Sequence, residues 1–168
     1  MTTYPWAGVL VVATICSTFS AFSSAQTATP SPKEALVTNH AAGPFDVKIT
    51  PQDDKSEDPL LGRMTLDKQY HGDLDGTGKG QMLTAGSPVK GSGAYVAIEK
   101  VTGTLRGRTG SFVLQHSGTM TQGTPQLTVT VVPDSGTGQL AGIAGQMRIN
   151  IADGKHSYDL EYTVPKID

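Results

Sequence analysis

One cysteine, one tryptophan and a near-zero charge balance leave this chain of 168 residues short of the features that most directly reveal chemistry. Cys16 and Trp6 both fall within the first 25 residues. A single thiol excludes an internal disulfide, and no residue beyond Cys16 can act as a thiol nucleophile or thiolate metal ligand. Thirteen basic residues stand against 15 acidic ones, a formal net charge of −2. No basic excess is available for phosphate contacts, which excludes nucleic acid as a partner. The charge is also too low and too balanced for a disordered acidic or basic chain. Histidines 71, 116 and 156 form no His-x-His or His-Glu-x-x-His spacing, so no metal and no cofactor are expected. No G-x-S-x-G element is present. Ser135-Gly136-Thr137-Gly138 lacks the lysine of a phosphate loop and reads as a connection between strands. Asp73-Leu74-Asp75-Gly76-Thr77-Gly78 has Thr84 where a calcium loop needs a bidentate glutamate, and reads as a turn. Glycine is abundant, at 20 residues, but without a collagen period.

Residues 1–25 contain no Asp, Glu, Lys or Arg. The short apolar run from Trp6 to Cys16 is followed by Ser23, Ser24 and Ala25. That pattern predicts a secretory signal peptide cleaved after Ala25. The run is interrupted by Thr14, Ser17 and Thr18, and is too short for a spanning helix of about 20 residues. The protein is therefore expected to be periplasmic or secreted, with no membrane attachment after cleavage. Residues 26–39, with Pro30 and Pro32, have the composition of a flexible linker. Residues 40–168 form one domain.

That domain reads as all-β. Eight runs with period-2 alternation are separated by Gly, Pro and Asp clusters. They begin at Phe45, Met64, Gly78, Ala94, Ser111, Gln126, Leu140 and His156. The second is expected to reach Leu74. No window carries a helical apolar stripe. Arg106 to Gly110 reads as a hairpin loop. On the fourth strand the apolar parity holds Tyr95, Ala97, Glu99, Val101, Gly103 and Leu105. On the fifth it holds Phe112, Leu114 and His116, and on the last His156, Tyr158, Leu160, Tyr162 and Val164. Glu99 and His116 are thus expected to face inward. Pairing Leu105 with Phe112 sets His116 one inward step from Glu99. Inward small residues (Ala97, Gly103, Gly118, Ala141, Gly145) suit a curved, tapering sheet.

The block Gly103-Thr-Leu-Arg-Gly-Arg-Thr-Gly-Ser-Phe-Val-Leu-Gln-His-Ser-Gly118, followed by Val132-Pro-Asp-Ser-Gly-Thr-Gly-Gln-Leu-Ala-Gly142, closely resembles the bacterial family called domain of unknown function 3224. Weaker blocks agree at His71–Gly76, Ala94–Gly103 and His156–Tyr162. The resemblance implies a closed eight-stranded antiparallel up-and-down barrel, similar to the plant allene oxide cyclases. It carries over none of their catalytic residues.

Two functions from different classes follow. In the first, the barrel binds a small apolar or amphipathic ligand, with Tyr95, Phe112, Leu114, Tyr158 and Tyr162 around it. In the second, it is an isomerase or cyclase for a small unsaturated substrate, with Glu99 and His116 as a catalytic proton-transfer dyad. The bland alternative for that dyad is a structural contact in which the two groups satisfy each other. A filled barrel that acts through its outer surface, or assembles as a homo-oligomer, is the third case.

Overall fold

The computed structural model describes residues 37–53 and 58–166. The expected signal peptide (1–25) and most of the expected linker lie outside the described residues. The described chain has nine strands and no helix: β1 (Asn39–Pro51), β2 (Leu61–Tyr70), β3 (Leu74–Gly86), β4 (Gly93–Leu105), β5 (Arg108–Thr121), β6 (Thr124–Val131), β7 (Thr137–Gly138), β8 (Ala144–Ala152) and β9 (Lys155–Thr163). They run in the order β4-β3-β2-β1-β9-β8-β6-β5, and a β4–β5 pairing closes the ring. Every pairing is antiparallel. The result is a closed eight-stranded barrel, with β7 as a short extra strand on the edge of β5.

Inward residues follow the parity expected from the sequence. Glu99, Val101 and Leu105 of β4 are buried, as are Phe112, Leu114 and His116 of β5. The register differs from the expectation. Leu105 pairs with Arg108, not Phe112. The turn is only Arg106-Gly107, with φ of 45° and 83°. Two positive φ values in a row give the tight hairpin whose twist matches the flanking strands. Gln122-Gly123 and Asp153-Gly154 repeat the device between β5 and β6 and between β8 and β9. Phe112 therefore sits opposite Val101, and His116 opposite Ala97. His116 remains one inward step from Glu99, on the other side from that expected.

Three strand boundaries also move. β1 starts at Asn39, because Ala41 to Phe45 pairs with β9 despite its weak strand propensity. β2 ends at Tyr70 and Leu74 already belongs to β3, because Gly72, at φ 90°, turns the chain between them. The expected seventh strand begins at Ala144 rather than Leu140. Residues 140–143 instead form turns that drive Leu140 and Ile143 into one end of the barrel, where each is about 1% exposed, and leave Ala141 outside.

The two ends of the barrel are consequently unlike. At the plugged end, β6 does not reach the first half of β5. The connection after β6 replaces it through side chains: Val113 N–H donates to Ser135 Oγ (3.0 Å), Ser111 N–H to Thr137 Oγ1 (3.0 Å) and Thr109 N–H to Gln139 Oε1 (2.8 Å). The turn from His71 to Asp73 ties neighbouring segments together. The Asp73 carboxylate accepts from Ala42 N–H (3.0 Å) and pairs with Arg106 (3.3 Å). Tyr158 Oη accepts from Leu74 N–H (2.8 Å) and donates to the His71 carbonyl (3.1 Å). At the other end no comparable plug is seen among the described residues. Near the plugged end of β6 and the start of β8, those two strands meet through a single residue pair, Thr130 with Gln146.

Tyr158→Phe keeps the ring and removes both of those hydrogen bonds. It is expected to cost roughly 1–3 kcal/mol, because a buried N–H loses its acceptor. The check is urea unfolding, read as a lower midpoint at unchanged slope.

Candidate functional site

Halfway down the barrel four polar side chains meet. Lys68 projects from β2, and Tyr70 follows two residues on, on the same face. Glu99 comes from β4 and His116 from β5. Lys68 Nζ donates to Glu99 Oε2 at 2.7 Å, and Tyr70 Oη donates to Glu99 Oε1 at 2.8 Å. Lys68 Nζ also donates to Tyr70 Oη at 3.2 Å. His116 Nε2 lies 3.1 Å from Glu99 Oε2. This is close enough for a strong electrostatic contact, but the nitrogen has no hydrogen-bond partner of good geometry. Glu99 is 0% exposed and Lys68 5%.

Space for the carboxylate comes from β3, where Gly76, Gly78 and Gly80 alternate on the inner face. A Cβ built on Gly78 would run into Glu99 Oε1 and the Tyr70 ring. The lysine is further held by aromatic faces, 5.0 Å from the Phe45 centroid and 5.5 Å from that of Tyr70. Phe45, Tyr70 and Tyr158 continue as a ladder toward the plugged end, with centroid spacings of 5.5 Å.

Burial pushes the Glu99 carboxyl up, but the adjacent His116 ring, the Lys68 charge and the hydrogen bonds from Lys68 and Tyr70 outweigh it. Its pKa is held below the ordinary 4.5. Glu99 is therefore ionised at neutral pH. Burial, reinforced by the Glu99 charge, raises the Tyr70 phenol far above its usual range, so Tyr70 stays a donor. Burial and then the Glu99 charge also raise Tyr95.

Above this cluster, toward the unplugged end, lies a pocket of about 180 Å³. Its walls are Val47, Ile49, Leu66, Met82, Leu127 and Ile149, and its rim carries the exposed Ile151. Lys68 and His116 supply the polar floor, while Glu99 is hidden behind them. Tyr95 forms part of the wall, lying over Gly118, where any Cβ would strike its ring. The other four residues expected around a ligand do not reach the pocket lining. Phe112, Leu114, Tyr158 and Tyr162 fill the barrel between the floor and the plugged end.

Lys68 and Tyr70 were missed from sequence. Their signal was the same parity that singled out Glu99, because Leu66, Lys68 and Tyr70 share one face of β2. His156 lines the pocket against Phe45, at 5.3 Å between centroids. His71 is outside, 3.4 Å from Asp46. Among the described residues no three His, Cys, Asp or Glu side chains gather as a metal site would need.

A small closed barrel with an ion cluster under an apolar pocket is thus the class of protein that the geometry defines. The chain belongs to the family described as "Protein of unknown function (DUF3224)", which matches residues 41–162. A crystal structure of a protein with unknown function from that family, from Shewanella oneidensis MR-1, is similar at 45% identity and a TM-score of 0.73. The similarity covers 77% of this chain and 100% of that one. No curated protein matches significantly.

Removing one partner of a buried pair leaves the other charged and unpaired. Lys68→Met is expected to destabilise by about 3–5 kcal/mol, and Lys68→Met/Glu99→Leu to recover much of it. Chemical unfolding of the three proteins checks this. The acid response follows from the direction of the Glu99 shift. With the folded pKa below the unfolded 4.5, its contribution is present above that pH and is lost as pH falls through the folded value. Glu99→Gln is expected to flatten the acid limb of a stability-against-pH curve below about 4.5, whatever it does to stability at neutral pH.

Proposed function

We propose that this protein is an exported binding barrel that takes a small amphipathic molecule through its unplugged end. The observation that carries the reading is the pocket itself, with apolar walls and a floor of Lys68 and His116. Its volume sets the size of the occupant. An engineered apolar cavity of about 150 Å³ holds benzene, so about 180 Å³ accommodates one ring or a short chain. Tyr95, whose ring forms one wall, is the aromatic surface that meets it. Phe112, Leu114, Tyr158 and Tyr162 act a layer further in, by supporting the floor. Export rests on the leader pattern of residues 1–25.

A second reading is favoured by the 3.1 Å approach of His116 to Glu99. In it the barrel is an isomerase or cyclase for a small unsaturated substrate. His116 meets the substrate and moves the proton, and Glu99, hidden from the pocket, positions it. Analogy with the allene oxide cyclase barrel is weak support, because fold alone does not carry function.

Native mass spectrometry of protein recovered from its own periplasm or medium tests the first reading. The expected result is a chain beginning at Gln26 with a small co-purifying molecule. Val47→Phe, which fills the pocket from its wall, is expected to lose that molecule while remaining folded. A barrel that carries nothing, and takes up no small apolar probe, overturns the binding reading.

A further inference from the structure

Hydrogen-bond accounting at the pocket floor narrows the chemistry of what binds there. An ammonium has three N–H donors. Lys68 directs one to Glu99 Oε2 and one to Tyr70 Oη. The third has no oxygen or nitrogen acceptor among the described residues, only the Phe45 face 5.0 Å away, and Lys68 lines the pocket. His116 is also on the lining, but its buried Nε2 is turned toward Glu99 Oε2, 3.1 Å away. The floor therefore offers one cationic donor of Lys68 to whatever fills the space above.

Charge separates the acceptors that could use it. The Lys68 ammonium is already matched by the Glu99 carboxylate at 2.7 Å. An incoming carboxylate on the same ammonium would bring a second negative charge within about 5 Å of the first, given ordinary hydrogen-bond lengths. The surrounding walls are apolar, so the repulsion is poorly screened. A neutral oxygen takes the spare N–H without that cost. A carbonyl oxygen accepts two hydrogen bonds and donates none, which suits a floor whose Lys68 can only donate.

We infer that the pocket is selective for a neutral carbonyl compound, a ketone, aldehyde or ester on a single ring or short chain, with its oxygen on Lys68 and its apolar part against Tyr95 and Leu66. This rests on the binding reading above and specifies its ligand class.

The test uses the full chain and three probes of one shape at pH 7: acetophenone, ethylbenzene and benzoate. Titration calorimetry is expected to rank acetophenone at least about tenfold tighter than ethylbenzene, the effect of one hydrogen bond to a charged donor. Benzoate is expected to bind more weakly than either. Carbonyl-¹³C acetophenone is expected to show a downfield shift on binding. Glu99→Gln removes the competing negative charge and is expected to raise benzoate affinity at least about tenfold, with ethylbenzene unchanged. Lys68→Met is expected to abolish the preference for acetophenone over ethylbenzene. Where that variant fails to fold, Lys68→Met/Glu99→Gln, with no unpaired charge, carries the same comparison. Benzoate binding as tightly as acetophenone to the unaltered protein overturns the inference. So does equal affinity for acetophenone and ethylbenzene, which leaves the binding barrel standing as an unselective apolar pocket. If none of the three binds, the binding reading falls and the carbonyl inference falls with it.

Discussion

The desolvated carboxylate of Glu99 is the constraint around which this barrel is organised. A buried charge is stable only when it is paired and its remaining lone pairs are satisfied. Each of its partners imposes a further condition. Lys68 must itself be buried, and it lies against the faces of Phe45 and Tyr70. Tyr70 must stay protonated, and burial beside the carboxylate keeps it so. The carboxylate also needs volume, and β3 provides it by presenting glycine where an ordinary strand would present a side chain. Of the inward glycines of β3, Gly78 answers to the ion cluster, while Gly76 and Gly80 make room for the close backbone of β4. A hydrophobic replacement of the same shape is commonly as stable as a buried pair. The cluster is thus poorly explained by stability alone, and its place under a pocket is the more informative fact.

The two ends of the barrel serve different ends. Leu140 and Ile143, inserted by the connection before β8, fill one of them. The side-chain hydrogen bonds of Ser135, Thr137 and Gln139 hold that connection against β5. The aromatic ladder ends at Phe45 on the pocket lining, where aliphatic side chains, Met82, Tyr95 and His156 make up most of the remaining wall. The low aromatic content has a local meaning here. Among the described residues, Phe112, Tyr158 and Tyr162 lie below the ion cluster, and only Phe45 and Tyr95 of the Phe and Tyr rings reach the pocket above it.

Much of this was legible in the alternation of side chains. Glu99 and His116 stood out because each occupies an apolar parity on a strand, where a solvated residue does not belong. Lys68 carried the same mark, yet a lone lysine in a strand is ordinarily a solvated edge residue, and its neighbour Asp67 does face outward. Parity also gives inside or outside but not height. Whether Tyr158 lines a pocket or props up its floor depends on register, and register here is set by turns only two residues long. The plug was illegible for a related reason. Leu140 and Ile143 look like the start of a strand, and only the lack of a β6 partner along the first half of β5 makes that stretch a lid.

The single Thr130–Gln146 bridge between β6 and β8 gives the ring one clasp, while long ladders join its other neighbours. The clasp lies across the barrel from the wall formed by β2, β3 and β4. Leu127 and Ile149 flank it and also line the pocket. Hydrogen-bonded continuity is thereby unevenly shared around the ring. The side that carries Glu99 and Lys68 is laced by continuous ladders, whereas β6 and β8 are joined by one bridge. A ring laced this way keeps its buried charges on the continuous wall and its loosest seam on the opposite one.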